Sequence, residues 1–128
     1  MPQKKLLLVE DDPFLSSLLK ARLAKEGFVV AYAADGEEAL EMLRKDKPDL
    51  VLLDLILPKK SGFEVLEIMR DDPRLVKLPV MIVSNLGQES DIARGKELGA
   101  VAYFIKAKTS IDILSKEISD FFNKQITA

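Results

Sequence analysis

The run Pro48-Asp49-Leu50-Val51-Leu52-Leu53-Asp54-Leu55-Ile56-Leu57-Pro58 is the most apolar segment of the chain, and one carboxylate, Asp54, sits inside its apolar stretch. A continuous apolar run bounded by prolines predicts a strand buried on both faces. A charged Asp within such a strand is unfavourable by several kcal/mol unless it is partnered. Asp54 is therefore expected at the strand's end, with partners. The competing reading is an Asp that merely opens a turn. The segments on either side decide between the two.

Upstream, Lys5 to Val9 predicts a strand that ends in the acidic cluster Glu10-Asp11-Asp12. Asp12 as N-cap and Pro13 at the first helical position start a helix whose apolar positions are Phe14, Leu15, Leu18, Leu19 and Leu23, and Gly27 ends it. Val29 to Ala33 predicts a second strand. Asp35 and Glu38 form a capping-box-like start for a helix carrying Ala39, Leu40 and Leu43, which Lys47-Pro48 breaks.

Downstream, Pro58 to Gly62 carries turn chemistry, and Phe63, Val65, Leu66 and Met69 lie on a third helix that ends at Asp71-Asp72-Pro73. Val80 to Val83 predicts a fourth strand that stops at Ser84-Asn85. A fourth helix spans Gln88 to Leu98. Its thin apolar face (Ile92, Ala93, Leu98) predicts a loosely held element. Val101 to Ile105 predicts a fifth strand ending at Lys106. Ser110 caps a last helix with Ile111, Leu114, Ile118 and Phe121 on one stripe, expected to end near Phe122.

Five apolar strands alternating with five helices predict a parallel sheet covered on both faces. With right-handed crossovers the leading arrangement is an α/β, flavodoxin-like, doubly wound three-layer sandwich of strand order 2-1-3-4-5. At 128 residues, 48% hydrophobic and 31% charged, the chain is expected to be one domain over 1–128, with its core about 4–123. A net charge of −2 argues against a broad basic field for nucleic acid. No apolar run approaches membrane-spanning length, and the N-terminus Met1-Pro2-Gln3-Lys4-Lys5 lacks a leader's apolar core. The absence of Cys leads to the expectation of a cytoplasmic home. The absence of Cys and His excludes disulfides, His bases and soft-metal sites.

In this topology strands 1 and 3 are neighbours, so Glu10, Asp11 and Asp54 meet at one crevice, flanked by Ser84 and Lys106. Three close carboxylates repel unless a cation joins them. Hard oxygen ligands select Mg²⁺, with Mn²⁺ possible. Such an ion keeps waters and takes phosphoryl oxygens, leaving one Asp free as a nucleophile that forms an aspartyl phosphate. The metal and the Lys106 ammonium would then neutralise charge on the phosphoryl oxygens, and the Ser84 hydroxyl would donate to one of them.

Taken together, Leu8-Val9-Glu10-Asp11-Asp12, the Asp54 strand with Pro58 and Gly62 after it, Pro79-Val80 to Ser84, and Tyr103 to Lys106 resemble the receiver domain of two-component response regulators, over roughly Lys4 to Asn123. The resemblance implies that Asp54 accepts the phosphoryl group. It implies that Asp11 ligates Mg²⁺ directly, Glu10 does so through water, and the Ile56 backbone carbonyl completes the protein ligands. Ser84 would be the switch hydroxyl and Tyr103 an aromatic switch, although Tyr103 also reads as an ordinary strand tyrosine. The implied partners are a histidine kinase or phosphotransfer protein and an unknown downstream protein, met on helix 4, strand 5 and helix 5. No direct nucleic-acid or membrane contact is implied, and the chain is expected to be a monomer or weak dimer. It is not expected to be an enzyme beyond its own phosphorylation and slow dephosphorylation. No effector segment is expected after the last helix, so output goes through a partner or the chain is a piece of a longer one.

The sequence departs from the family pattern in two respects. Ala107 stands where a proline with a cis bond is usual, and a trans Lys106–Ala107 bond is expected because a cis bond before a non-proline residue is unfavourable by about 2.5–4 kcal/mol. Ile56 and Leu86 are apolar where the family flanks the hydrolytic water, which predicts slow loss of the phosphoryl group. The Ala107 departure sustains an alternative, a phosphorylation-independent receiver-like interaction module. A haloacid-dehalogenase-type hydrolase is disfavoured, because Ile56 occupies the place of its second acid. A flavin or nucleotide carrier is disfavoured by the acids after strand 1. Lys59 and Lys60 either face solvent or meet an acidic donor surface.

Overall fold

β1 (Lys5–Val9), β2 (Val29–Ala33), β3 (Leu50–Leu53), β4 (Val80–Ser84) and β5 (Ala102–Ile105) pair in the order β2-β1-β3-β4-β5, every neighbour parallel. The computed structural model describes residues 3–127, with side chains through residue 124. Met1 and Pro2, read above as part of a leaderless N-terminus, lie outside the described residues. α1 (Pro13–Lys25), α2 (Gly36–Lys45), α3 (Gly62–Asp71), α4 (Glu89–Glu97) and α5 (Ile111–Thr127) follow the strands in turn, and a short 3₁₀ turn, Lys106–Lys108, precedes α5.

Strand periodicity divides the core in two. On one face Leu7, Val9, Val51, Leu53 and Ile82 pack with Leu40 and Leu43 of α2 and Val65, Leu66 and Met69 of α3. On the other, Leu6, Leu8, Leu50, Leu52, Met81 and Val83 pack with Leu19 and Leu23 of α1 and Leu114, Ile118 and Phe122 of α5. The result is the expected three-layer sandwich. Each fully buried Leu or Met side chain contributes about 1.5–3 kcal/mol of transfer free energy to it.

Local capping follows the sequence closely. Asp12 accepts from the N–H groups of Phe14 (2.9 Å) and Leu15 (3.3 Å). Asp35 accepts from Glu38 N–H at 2.8 Å, while Glu38 reaches back to Ala34 N–H, one residue short of a closed capping box. Ser61 and Glu64 close a full box at the start of α3. Gly27 adopts φ 99°, a left-handed helix end that favours glycine.

Several expectations need correction. Phe14 and Leu18 face solvent, at 74% and 42% exposed, because the ridge Leu15-Leu19-Leu23 turns to the sheet instead. Ala93 of α4 is exposed, and Gly95 is that helix's buried residue. Val101 is exposed and precedes β5. The last helix continues past Phe122 to Thr127, since nothing after Phe122 breaks it.

Candidate functional site

The site forms where β1 and β3 end side by side. Val9 pairs with Leu53, so the residues that follow them, Glu10 and Asp54, emerge together. Asp54 N–H donates to the Val9 carbonyl at 3.0 Å, and Glu10 N–H donates to the Ala33 carbonyl at 3.1 Å. The Tyr32 hydroxyl donates to the Glu10 carbonyl at 2.6 Å, so β2 helps to aim this turn. Gly62 lies so close to the Asp54 backbone that a Cβ would sit 2.2 Å from the Asp54 carbonyl oxygen. The start of α3 thus rests on the acidic residue, a seat that a side chain would block.

Carboxylate oxygens of Glu10, Asp11 and Asp54 lie within 4.8 Å of one another. Glu10 and Asp54 are buried, at 2% and 4% exposed, whereas Asp11 is exposed. The Lys106 ammonium bridges the two buried acids, 2.5 Å from Asp54 Oδ2 and 2.5 Å from Glu10 Oε1. The remaining oxygens take backbone donors: Ile56 N–H to Asp54 Oδ1 at 3.1 Å and Asp12 N–H to Glu10 Oε2 at 3.2 Å. Burial pushes the Glu10 carboxyl up to about 7; the Lys106 hydrogen bond opposes this and the Asp54 charge adds to it. Burial works to lower the Lys106 pKa, but its hydrogen bonds to Asp54 and Glu10 outweigh that and hold it above the ordinary lysine value.

Ser84, fully buried at the end of β4, accepts from Leu86 N–H at 3.3 Å. Tyr103 is half-buried on β5. Its ring lies against Gly95 of α4, its hydroxyl donates to the Leu86 carbonyl, and burial raises its pKa. The Lys106–Ala107 peptide is trans, as expected, and Ala107 N–H donates to the Asn85 side-chain oxygen at 3.1 Å. Lys59 sits at φ 68° with its ammonium 3.7 Å from Asp35, so it is partnered within the chain.

The structure therefore gathers Glu10, Asp11, Asp54 and Lys106 into one pocket, with Ile56 at its mouth and Ser84 at the end of the adjacent strand. The donor set suits a hard divalent ion: carboxylates with an exposed member, no sulfur, no imidazole. Sequence reasoning placed Lys106 beside a phosphoryl group but missed it as the counter-charge that joins Glu10 to Asp54. It also missed the Gly62 seat, the Tyr32 hydroxyl and the Asn85 contact. Only Gly62 left a signal, as the glycine that follows a capping serine.

A family model for the response regulator receiver domain matches residues 6–118. The chain is similar to the transcriptional regulatory protein CpxR of Escherichia coli K12, 42% identical over 112 residues that make up 88% of this chain and 47% of CpxR. It spans less than half the length of such curated relatives. Its fold is similar to the receiver domain of the Francisella response regulator 1452, with a TM-score of 0.87 and 26% identity, covering 96% of this chain and 99% of that one. It is also similar to the Mn(2+)-bound form of the response regulator Rcp1, with a TM-score of 0.82 and 30% identity, covering 93% and 94%.

Proposed function

The chain belongs to the response regulator receiver domain family, a signalling module rather than an enzyme, and from that premise we propose that it receives a phosphoryl group on Asp54 from a histidine kinase or phosphotransfer protein. The observation that carries this reading is the pocket itself: three carboxylates within 4.8 Å and a lysine 2.5 Å from the proposed acceptor. An Asp54 oxygen attacks phosphorus of the donor's phosphoimidazole. The O–P bond forms as the P–N bond breaks, and the imidazole nitrogen keeps the bonding pair and takes a proton from solvent. Asp11, Asp54 and the Ile56 carbonyl would hold Mg²⁺ or Mn²⁺ directly and Glu10 through water. When bound, the ion neutralises charge on the phosphoryl oxygens. Lys106, released from bridging two carboxylates, offers its ammonium to the same oxygens, and the Ser84 hydroxyl donates to one.

The new charge then biases Ser84, Tyr103 and α4, resetting the α4–β5–α5 surface for a downstream protein partner. Support comes from Tyr103, which links the Leu86 carbonyl after Ser84 to the buried Gly95 of α4. The domain works in the cytoplasm as a monomer or weak dimer under this reading. Among the described residues no helix is long and apolar enough to cross a membrane. Transfer of labelled phosphate from phosphorylated histidine phosphotransfer domains tests it. Asp54→Asn is expected to abolish labelling; undiminished labelling would mean that another residue accepts the phosphoryl group, whereas no labelling of wild type together with undiminished output from Asp54→Asn would favour the phosphorylation-independent module instead. Ile56, 53% exposed beside the pocket, offers no group to orient water, so decay of the phosphorylated form is expected to be slow. Ile56→Asn should hasten that decay on Phos-tag gels.

A further inference from the structure

We infer that Asn85 is a positioning residue for Lys106: its side-chain oxygen holds the Ala107 N–H and so fixes the turn that delivers the lysine ammonium to Asp54. Lys106 lies at the junction of an edge strand and a single 3₁₀ turn. All four residues of β5 are only half-buried, so packing alone defines this strand end less firmly than those of β1 and β3. A lysine has a long, rotamer-rich stem, and where its ammonium rests depends on where its backbone is held.

Two sets of ties bracket that backbone. Thr109 supplies one from within the turn, its hydroxyl donating to the Ile105 carbonyl at 2.8 Å and its N–H to the Lys106 carbonyl at 3.3 Å. Asn85 supplies the other from a different strand's loop, at 3.1 Å. That loop is brought close by Gly87, where a Cβ would stand 3.1 Å from the Ile105 side chain. The bond needs an N–H at position 107. Alanine has one and proline does not, so the trans Ala107 turn and the Asn85 acceptor fit as a pair. Asn85 directly follows Ser84, so this bond ties the loop after β4 to the turn that carries Lys106.

The inference deepens the phosphoacceptor reading and rests on it only for the activity measurement. The first test needs no phosphate: hydrogen exchange at the Ala107 amide, followed by NMR in the full metal-free chain. Asn85→Ala should speed that exchange about 3- to 10-fold, the range set by loss of one ordinary hydrogen bond. Asn85→Asp, which keeps the acceptor oxygen, should remain near wild type. The second test is the rate of phosphorylation by acetyl phosphate with saturating Mg²⁺. Asn85→Ala should slow it by a similar factor and Asn85→Asp should restore it. In a Lys106→Met background Asn85→Ala should add nothing, because its effect runs through the lysine. Unchanged Ala107 exchange in Asn85→Ala overturns the inference, as does an Asn85→Ala effect that persists without Lys106. If wild type takes no phosphate at all, the phosphoacceptor reading fails while the exchange measurement still judges the Asn85 contact.

Discussion

α3 and α4 are nearly equal in length, 10 and 9 residues, and are seated in opposite ways. α3 buries Gly62, Phe63, Val65, Leu66 and Met69, whereas α4 buries only Gly95. Polar ties hold α4 in place of an apolar face. Arg94 pairs with Glu67 of α3 and stacks over the Phe63 ring at 4.2 Å. Arg70, also on α3, donates to the carbonyls of Leu98 at 2.5 Å and Gly99 at 3.2 Å just beyond α4, and to Val76 at 2.7 Å. The difference teaches how one small fold can combine a firmly packed helix beside its acidic pocket with a helix held mainly by polar ties. Apolar burial is lost all at once and anchors α3 on the Asp54 backbone. Charged and backbone contacts are exchanged one by one, which suits the helix proposed to shift.

The contrast can be broken in four places. Leu66→Ala in α3 should lower global stability by about 2–5 kcal/mol in urea titration, while Ile92→Ala in α4 stays well below that; equal losses would erase the distinction. Gly62→Ala should destabilise by about 1–3 kcal/mol and also weaken Mg²⁺ binding, since its Cβ must displace the Asp54 carbonyl. A calorimetric titration showing wild-type metal affinity would mean that the seat does not position the acid. Arg70→Met should destabilise by about 1–3 kcal/mol, because it leaves several carbonyls without their donor, and amides around Leu98 and Gly99 should exchange faster than those of α2. Arg94→Gln should have the smallest effect, about 1 kcal/mol or less, since both charged partners are half-exposed. It should speed exchange within α4 alone, and in wild type the Arg94–Glu67 contribution should shrink at high salt.

Much of this was legible beforehand for identifiable reasons. Uninterrupted apolar runs mark β1, β3 and β4, and the carboxylates that follow two of them mark the pocket. Asp12, Asp35 and Ser110 announced their helix starts through side-chain chemistry that acts within three residues. What escaped depended on distant partners. The apolar pattern of α1 did not reveal that Phe14 and Leu18 point outward, because both ridges of that helix are leucine- or phenylalanine-rich. Arg70 reads as a surface charge, yet it is drawn in by carbonyls nearly thirty residues away, and burial lowers its pKa. Asn85 carries no local signal, since its partner is an amide 22 positions later.

By itself, then, the chain's order of residues determined the strand sequence, the layers and the identity of the acids, because strand period, capping and burial preference are local properties. Only the folded arrangement decided that one lysine joins Glu10 to Asp54, that a glycine lets α3 rest on the Asp54 backbone, and that arginines rather than apolar side chains hold α4. Those outcomes depend on distances between segments far apart in the chain, which no local pattern encodes.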